Sequence, residues 1–213
     1  MASMFAPTLS GFGLGLSLIV AIGAQNVFVL RQGVRREHLV AVVAICALSD
    51  VALIAAGIAG IGAALDRMPW LLDGARWAGA AFLAGYGGLA ARRAVRPGGS
   101  GLTAGHDPGR ATTAAAAIAT CLALTWLNPH VYLDTVFLLG SVANTHGEGR
   151  WAFGLGAAVA SVVWFTALGF GARLLGRWLS TPRAWRVLDG VIAVLMLVLA
   201  ALLLAPALGP AHE

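Results

Sequence analysis

Asp50 carries the strongest chemical signal in the chain. It stands within CALSDVALIAAG, and no other residue between His38 and Asp66 carries a charge. A carboxylate in such an apolar run is costly, roughly 2.5–3.5 kcal/mol at the centre of a bilayer, and it normally faces a wet cavity or a partner. It can bind a cation, carry a proton, or stay protonated and bond a neighbouring helix. Asp134 is a second acid in an apolar run, LNPHVYLDTVFLLG, with His130 four residues before it and one helical turn away. The two form either a local pair or a second cation or proton site.

Two further groupings consist of polar backbone and amides. Asn128-Pro129 interrupts an apolar run. Proline removes one backbone donor and clashes with the carbonyl four residues back, here Thr125. That carbonyl then needs another partner or a hydrated surface. Gly23-Ala24-Gln25-Asn26 is the matching feature near the N-terminus. Its amides need hydrogen bonds, and Gly23 permits local unwinding. A helix broken at such a place can present backbone groups to a substrate. A plain kink at Pro129, and amides acting as interhelical glue, are the competing readings.

The remaining polar residues suggest structure. Asp189, three residues after Arg186, is expected to reach the headgroups. Asp73 and Arg76 are expected to pair. Cys46 and Asp50 share a helical face, but two ligands on one helix make no metal site. Gly11 and Gly15 read as a small-residue packing motif. No HExxH or GxSxG motif occurs, and no Ser–His pairing suggests an intramembrane hydrolase. Neither a cofactor nor a metal is called for, and Cys46 and Cys121, both in apolar runs, give no disulfide framework.

The elements that must hold these residues follow from composition. Hydrophobic residues make up 59% of the 213, and charged residues only 11%, against roughly 25% in a soluble domain. That excludes a soluble enzyme, a disordered chain and a nucleic-acid binder, despite a net charge of +5. A membrane span needs about 20 apolar residues. Six stretches qualify, at about 5–30, 39–64, 69–91, 112–140, 152–172 and 187–205. The first has no basic residue before it, so it reads as a retained span rather than a cleaved signal. The whole is one polytopic all-α domain. Its halves, about 5–91 and 112–205, are joined by a Gly/Pro/Ser-rich linker at 92–111.

All 14 basic residues are arginine, and eleven fall in the first, third and fifth loops. The positive-inside rule places those loops in the cytoplasm and both termini outside the inner membrane. Trp70, Trp77 and Trp151 then fall near outer boundaries, with Trp178 and Trp185 in the inner fifth loop. A weak internal repeat sets Asn26 against Asn128, Ser49 against Ser161 and Gly79 against Gly190. With three spans per half, the copies insert in opposite orientation, as in many secondary transporters. Chance alignment of apolar runs is the competing explanation.

Four blocks carry a family resemblance: GAQNVFVLRQGVRREH (23–38), ALSDVALIAAGIAG (47–60), PWLLDGARWAGAAFLAGYG (69–87) and TWLNPHVYLDTVFLLGS (125–141). The chain resembles the LysE/ArgO family of basic amino acid exporters over residues 5–205. The NPHVYLDT run favours the lysine/arginine branch over the threonine/homoserine branch. The resemblance implies a six-helix permease driven by protons or membrane potential, with functional positions at Asp50, Asn128, Pro129 and Asp134. Gln25, Asn26 and His130 join the expected substrate and proton site, and Gly23 and Pro129 mark the helix breaks. Expected partners are a basic amino acid, protons and lipid, with a homodimer left open. The alternatives are export of neutral hydroxy amino acids or of a divalent metal and, from another class, an intramembrane enzyme or assembly subunit.

Overall fold

A computed structural model of the chain describes residues 2–21, 23–60, 69–95, 113–175 and 182–208. Among these the regular elements are helical. They are α1 (Ala2–Ile19), α2 (Ala24–Arg35), α3 (Leu39–Ile58), α4 (Pro69–Val95), α5 (Ala114–Trp126), α6 (Pro129–Thr145), α7 (Arg150–Leu175) and α8 (Pro182–Leu208). Most of the expected linker, 96–111, lies outside the described residues, as do Trp178 and four loop arginines, Arg67, Arg96, Arg110 and Arg177.

Three stretches are long and apolar enough to cross a membrane unbroken: α3, Gly147–Leu174 and Arg183–Ala205. Two more qualify as bent pairs. Met4–Ile19 meets α2 at 82°, and α5 meets α6 at 61°. The described residues therefore supply up to five spans by length and composition, where six were expected. The difference is α4. Its 27 residues reach about 40 Å at 1.5 Å per residue. However, Asp73, Arg76, Arg92, Arg93 and its glycines dilute its apolar character.

Both bends have local causes. Without water, every backbone group at a break must find a partner inside the protein. At the first break, the Asn26 side chain reaches back across the gap, and its Nδ2 donates to the carbonyls of Ile19 and Ala21, each at 2.8 Å. At the second, Pro129 cannot donate to Thr125, and the amide of Asn128 bonds that carbonyl instead at 3.4 Å. The Tyr132 hydroxyl donates to the Trp126 carbonyl at 2.8 Å. The Asn128 side chain then caps α6 by accepting from the His130 amide at 3.1 Å. Past this cap, α6 widens into a π-helical stretch over Tyr132–Leu139.

Helix packing relies on small residues, as expected where lipid offers no hydrophobic contrast. α1 lies along α7, with Gly11 against the backbone of Phe153 and Gly15 against Ala157. Gly33 of α2 meets the Gly169 carbonyl of α7, and Gly57 of α3 meets Val136 and Gly140 of α6. A side chain at either Gly33 or Gly57 would strike backbone. α4 pairs with α8. Val29, Val42, Ile192 and Met196 are fully enclosed, whereas Leu48, Val159 and Val194 face outward.

Candidate functional site

The two breaks and the midpoint of α3 meet at one cavity of about 230 Å³. Gly23, Gln25 and Asn26 line it from the first break, Asn128 and His130 from the second, with Asp50 from α3 and Asp134 from α6. Seven of the eight expected site residues thus border a single space. Pro129 is buried beside it, at the start of α6.

Asp50 is almost completely enclosed, at 4% exposure. Its Oδ2 accepts a hydrogen bond from Ser161 Oγ of α7 at 2.7 Å. A buried carboxylate without a donor would be strongly destabilising, so Ser161 compensates part of that cost. Asp134 is half-buried in the widened part of α6, and His130 is exposed. The π-helical stretch begins between them and departs from the regular i, i+4 register assumed for the pair.

The helix starts offer a different kind of group. α2 begins at Ala24 with no side-chain cap on its first amides. Such an end carries unsatisfied N–H groups and the positive end of the helix dipole, which suits an anion. The Gln25 side chain lies at the cavity wall with its amide nitrogen buried. Acids and amide donors thus line the same cavity, groups that can meet the charged ends of an amino acid and a cationic side chain.

Several participants were not expected. The internal repeat sets Ser161 against Ser49 but gives no sign that it donates to Asp50. Trp164 Nε1 donates to Asn26 Oδ1 at 3.2 Å and so fixes the side chain that spans the first break. Trp126 Nε1 donates to Ser49 Oγ at 3.2 Å. The thiols of Cys46 and Cys121 lie 3.0 Å apart, both buried and both free. Among the described residues, no three His, Cys, Asp or Glu side chains converge as a metal site would need.

Two expectations fail near the arginine-rich end. Asp189 does not reach toward headgroups. α8 begins at Pro182, so Asp189 lies two turns inside the helix and is turned inward. Arg31 bonds it at 3.1 Å and Arg93 at 3.4 Å. Trp185, expected in a loop, is helical and buried beside Val34 and Ala172. Asp73 and Arg76 do pair, at 2.9 Å.

The sequence matches the family model for the LysE type translocator over residues 16–206. A Mycobacterium tuberculosis protein, named only provisionally as an amino-acid transporter, is 51% identical over 189 residues, spanning 89% of this chain and 92% of that one. The arginine exporter protein ArgO of Serratia proteamaculans is 44% identical, spanning 91% and 93% of the two chains. The lysine exporter LysE of Corynebacterium efficiens is 39% identical, spanning 88% and 93%. No solved structure matches.

Proposed function

The chain belongs to the LysE translocator family, a family of membrane transporters rather than enzymes, and on that premise we propose that it exports basic L-amino acids across the inner membrane. The observation that carries this reading is the shared cavity. Asp50 and Asp134 would receive the cationic side chain, with His130 beside them. The uncapped start of α2, with Gln25 and Asn26, would hold the α-carboxylate, and the break at Asn128–Pro129 would hold the α-amine. The similarity to named arginine and lysine exporters supports the choice of basic substrates.

Six spans in two inverted halves, with both termini outside, is the topology we favour. On this reading α4 is the additional span, shielded by its pairing with α8. Two observations favour inversion. The close contact of Gly33 with Gly169 has a counterpart in that of Gly57 with Gly140, and Gly57 and Gly169 are separated by the same 112 positions as Ser49 and Ser161. The third match is weaker, because Gly79 abuts the Leu127 carbonyl whereas Gly190 faces open space.

Transport would proceed by alternating access between the halves, with a proton moving against the amino acid. The direct test is export of labelled arginine, lysine and threonine from dipeptide-loaded cells with and without the protein. Arginine and lysine should leave faster in its presence and threonine should not. Citrulline, nearly isosteric with arginine but neutral, should compete poorly. Equal export of threonine, or equal competition by citrulline, would favour a neutral substrate.

A further inference from the structure

A second polar cluster lies outside the cavity, toward the arginine-rich end of the helices. Arg31 of α2 and Arg93 of α4 both bond Oδ1 of Asp189 on α8. Arg31 also donates to the Tyr86 hydroxyl at 3.2 Å. The Arg31 and Asp189 side chains are only 8% and 12% exposed. Three helices are thereby tied together at one point.

The cluster lies in line with the cavity. Phe82 borders the cavity, and the Tyr86 ring stacks on it at 6.3 Å and meets Phe28 edge-on at 6.4 Å. Along α4, Tyr86 is about 6 Å beyond Phe82, and Arg93 about 10 Å further, at 1.5 Å per residue. Cavity, aromatic floor and ion cluster thus follow one another toward the end that carries Arg35, Arg92 and Arg173. Any path from that end to the cavity along α4 meets the cluster first.

Its charge does not balance. Two guanidiniums share one carboxylate, and Arg31 Nε and Arg93 Nη2 are buried without hydrogen-bond partners. Unfilled buried donors on charged groups are costly, and a planar carboxylate is the natural complement of a guanidinium. An amino acid brings such a carboxylate at one end and an ammonium at the other. It could therefore replace both halves of the Arg31–Asp189 bridge.

We propose that the Arg31–Asp189–Arg93 cluster is the inner gate of the transport path, and that its two guanidiniums are the first site for the α-carboxylate of the incoming amino acid. The gate rests on the exporter reading for its substrate, but its position and closure do not. The ammonium would take the place on Asp189 that Arg31 vacates. The separation of α2 from α8 would then expose Tyr86 and Phe82 and open the cavity floor.

The test uses a cysteine at Ala123, a cavity-lining residue, labelled by an impermeant maleimide in membrane vesicles. The protein without this cysteine supplies the background. In inside-out vesicles without substrate, Asp189→Asn should raise the labelling rate severalfold, with no rise in right-side-out vesicles. An unchanged rate, or a rise only from the outer face, would overturn the gate. With the cluster intact, L-arginine should accelerate labelling from the inner face. Agmatine, with the same guanidinium but no carboxylate, should not. Equal effects of the two, or no effect of either, would overturn the carboxylate site. That arm needs no variant, so a failure of Asp189→Asn to insert leaves the proposal testable. Absence of arginine and lysine export by the unaltered protein in the dipeptide assay, while the Asp189→Asn labelling effect persists, would count against the exporter reading alone.

Discussion

Ser161 Oγ donates to Asp50 Oδ2 at 2.7 Å, joining α7 to the middle of α3 across 111 residues of sequence. The bond gives the buried acid its partner and couples the two halves of the chain at the cavity wall. A hydrogen bond to a charged group is worth about 1.5–3 kcal/mol. Ser161→Ala should therefore lower export by about tenfold or more, at 1.4 kcal/mol per decade. Ser161→Thr, which keeps the hydroxyl, should retain most of it. Initial export rates at matched expression check this.

Asn26 closes the first break with two donated bonds and one accepted from Trp164. Asn26→Ala would leave the Ile19 and Ala21 carbonyls without their side-chain donor and the Trp164 indole without its acceptor. A polar group left unsatisfied costs about 1–3 kcal/mol where it is buried and less where it is exposed, as at Ala21, so the loss should appear as a lower melting temperature in detergent. Asn26→Asp keeps the acceptor but loses the donor, and should be destabilised as well.

Pro129 is tolerated because Asn128 and Tyr132 take up the carbonyls left at the break. Pro129→Ala restores the missing donor and should favour a continuous helix. Transport should then fall by more than the amount of inserted protein. Normal export by this variant would make Pro129 a packing feature only.

The sequence foretold the breaks and the acid better than their partners, for physical reasons. Asp50, Asn26 and Asn128-Pro129 stand out because each violates an apolar helix locally, and such violations can be read without a fold. Ser161 does not violate anything, since a serine can bond its own helix. Only tertiary packing turns it toward Asp50. Asp189 looks terminal in the sequence because α8 starts earlier than the hydropathy suggests. Five helical residues that include Arg183 and Arg186 look like loop. The approach of Cys46 to Cys121 depends on how α3 crosses α5, which no local pattern records. Hydropathy also drew α4 as an ordinary span, although its glycines and charges leave it dependent on α8 for cover.

Topology can be read by labelling single cysteines in intact cells. Glu148, beside the turn between α6 and α7, should be accessible to an impermeant maleimide once replaced by cysteine. Val95 at the end of α4, 79% exposed, should be protected until the membrane is permeabilised. The reverse pattern would invert the orientation.

Proton exchange through Asp50 is the central claim. Arginine carries one positive charge at neutral pH, and the potential of a bacterial membrane draws it inward. Moving it out costs about 2.3 kcal/mol per 100 mV. Exchange for a proton removes that cost, and one enclosed carboxylate can serve both ions in turn. On the proposed mechanism it would bind the cationic substrate when open inward and take a proton when open outward. Asp50→Asn resembles the protonated form permanently, and its side chain can still accept the Ser161 hydrogen bond. The decisive measurement is proton flux driven by an arginine gradient in proteoliposomes. Wild-type protein should move protons opposite to arginine, and Asp50→Asn, inserted to the same level, should not. Full arginine-driven proton flux in Asp50→Asn would contradict the mechanism and transfer the role to Asp134.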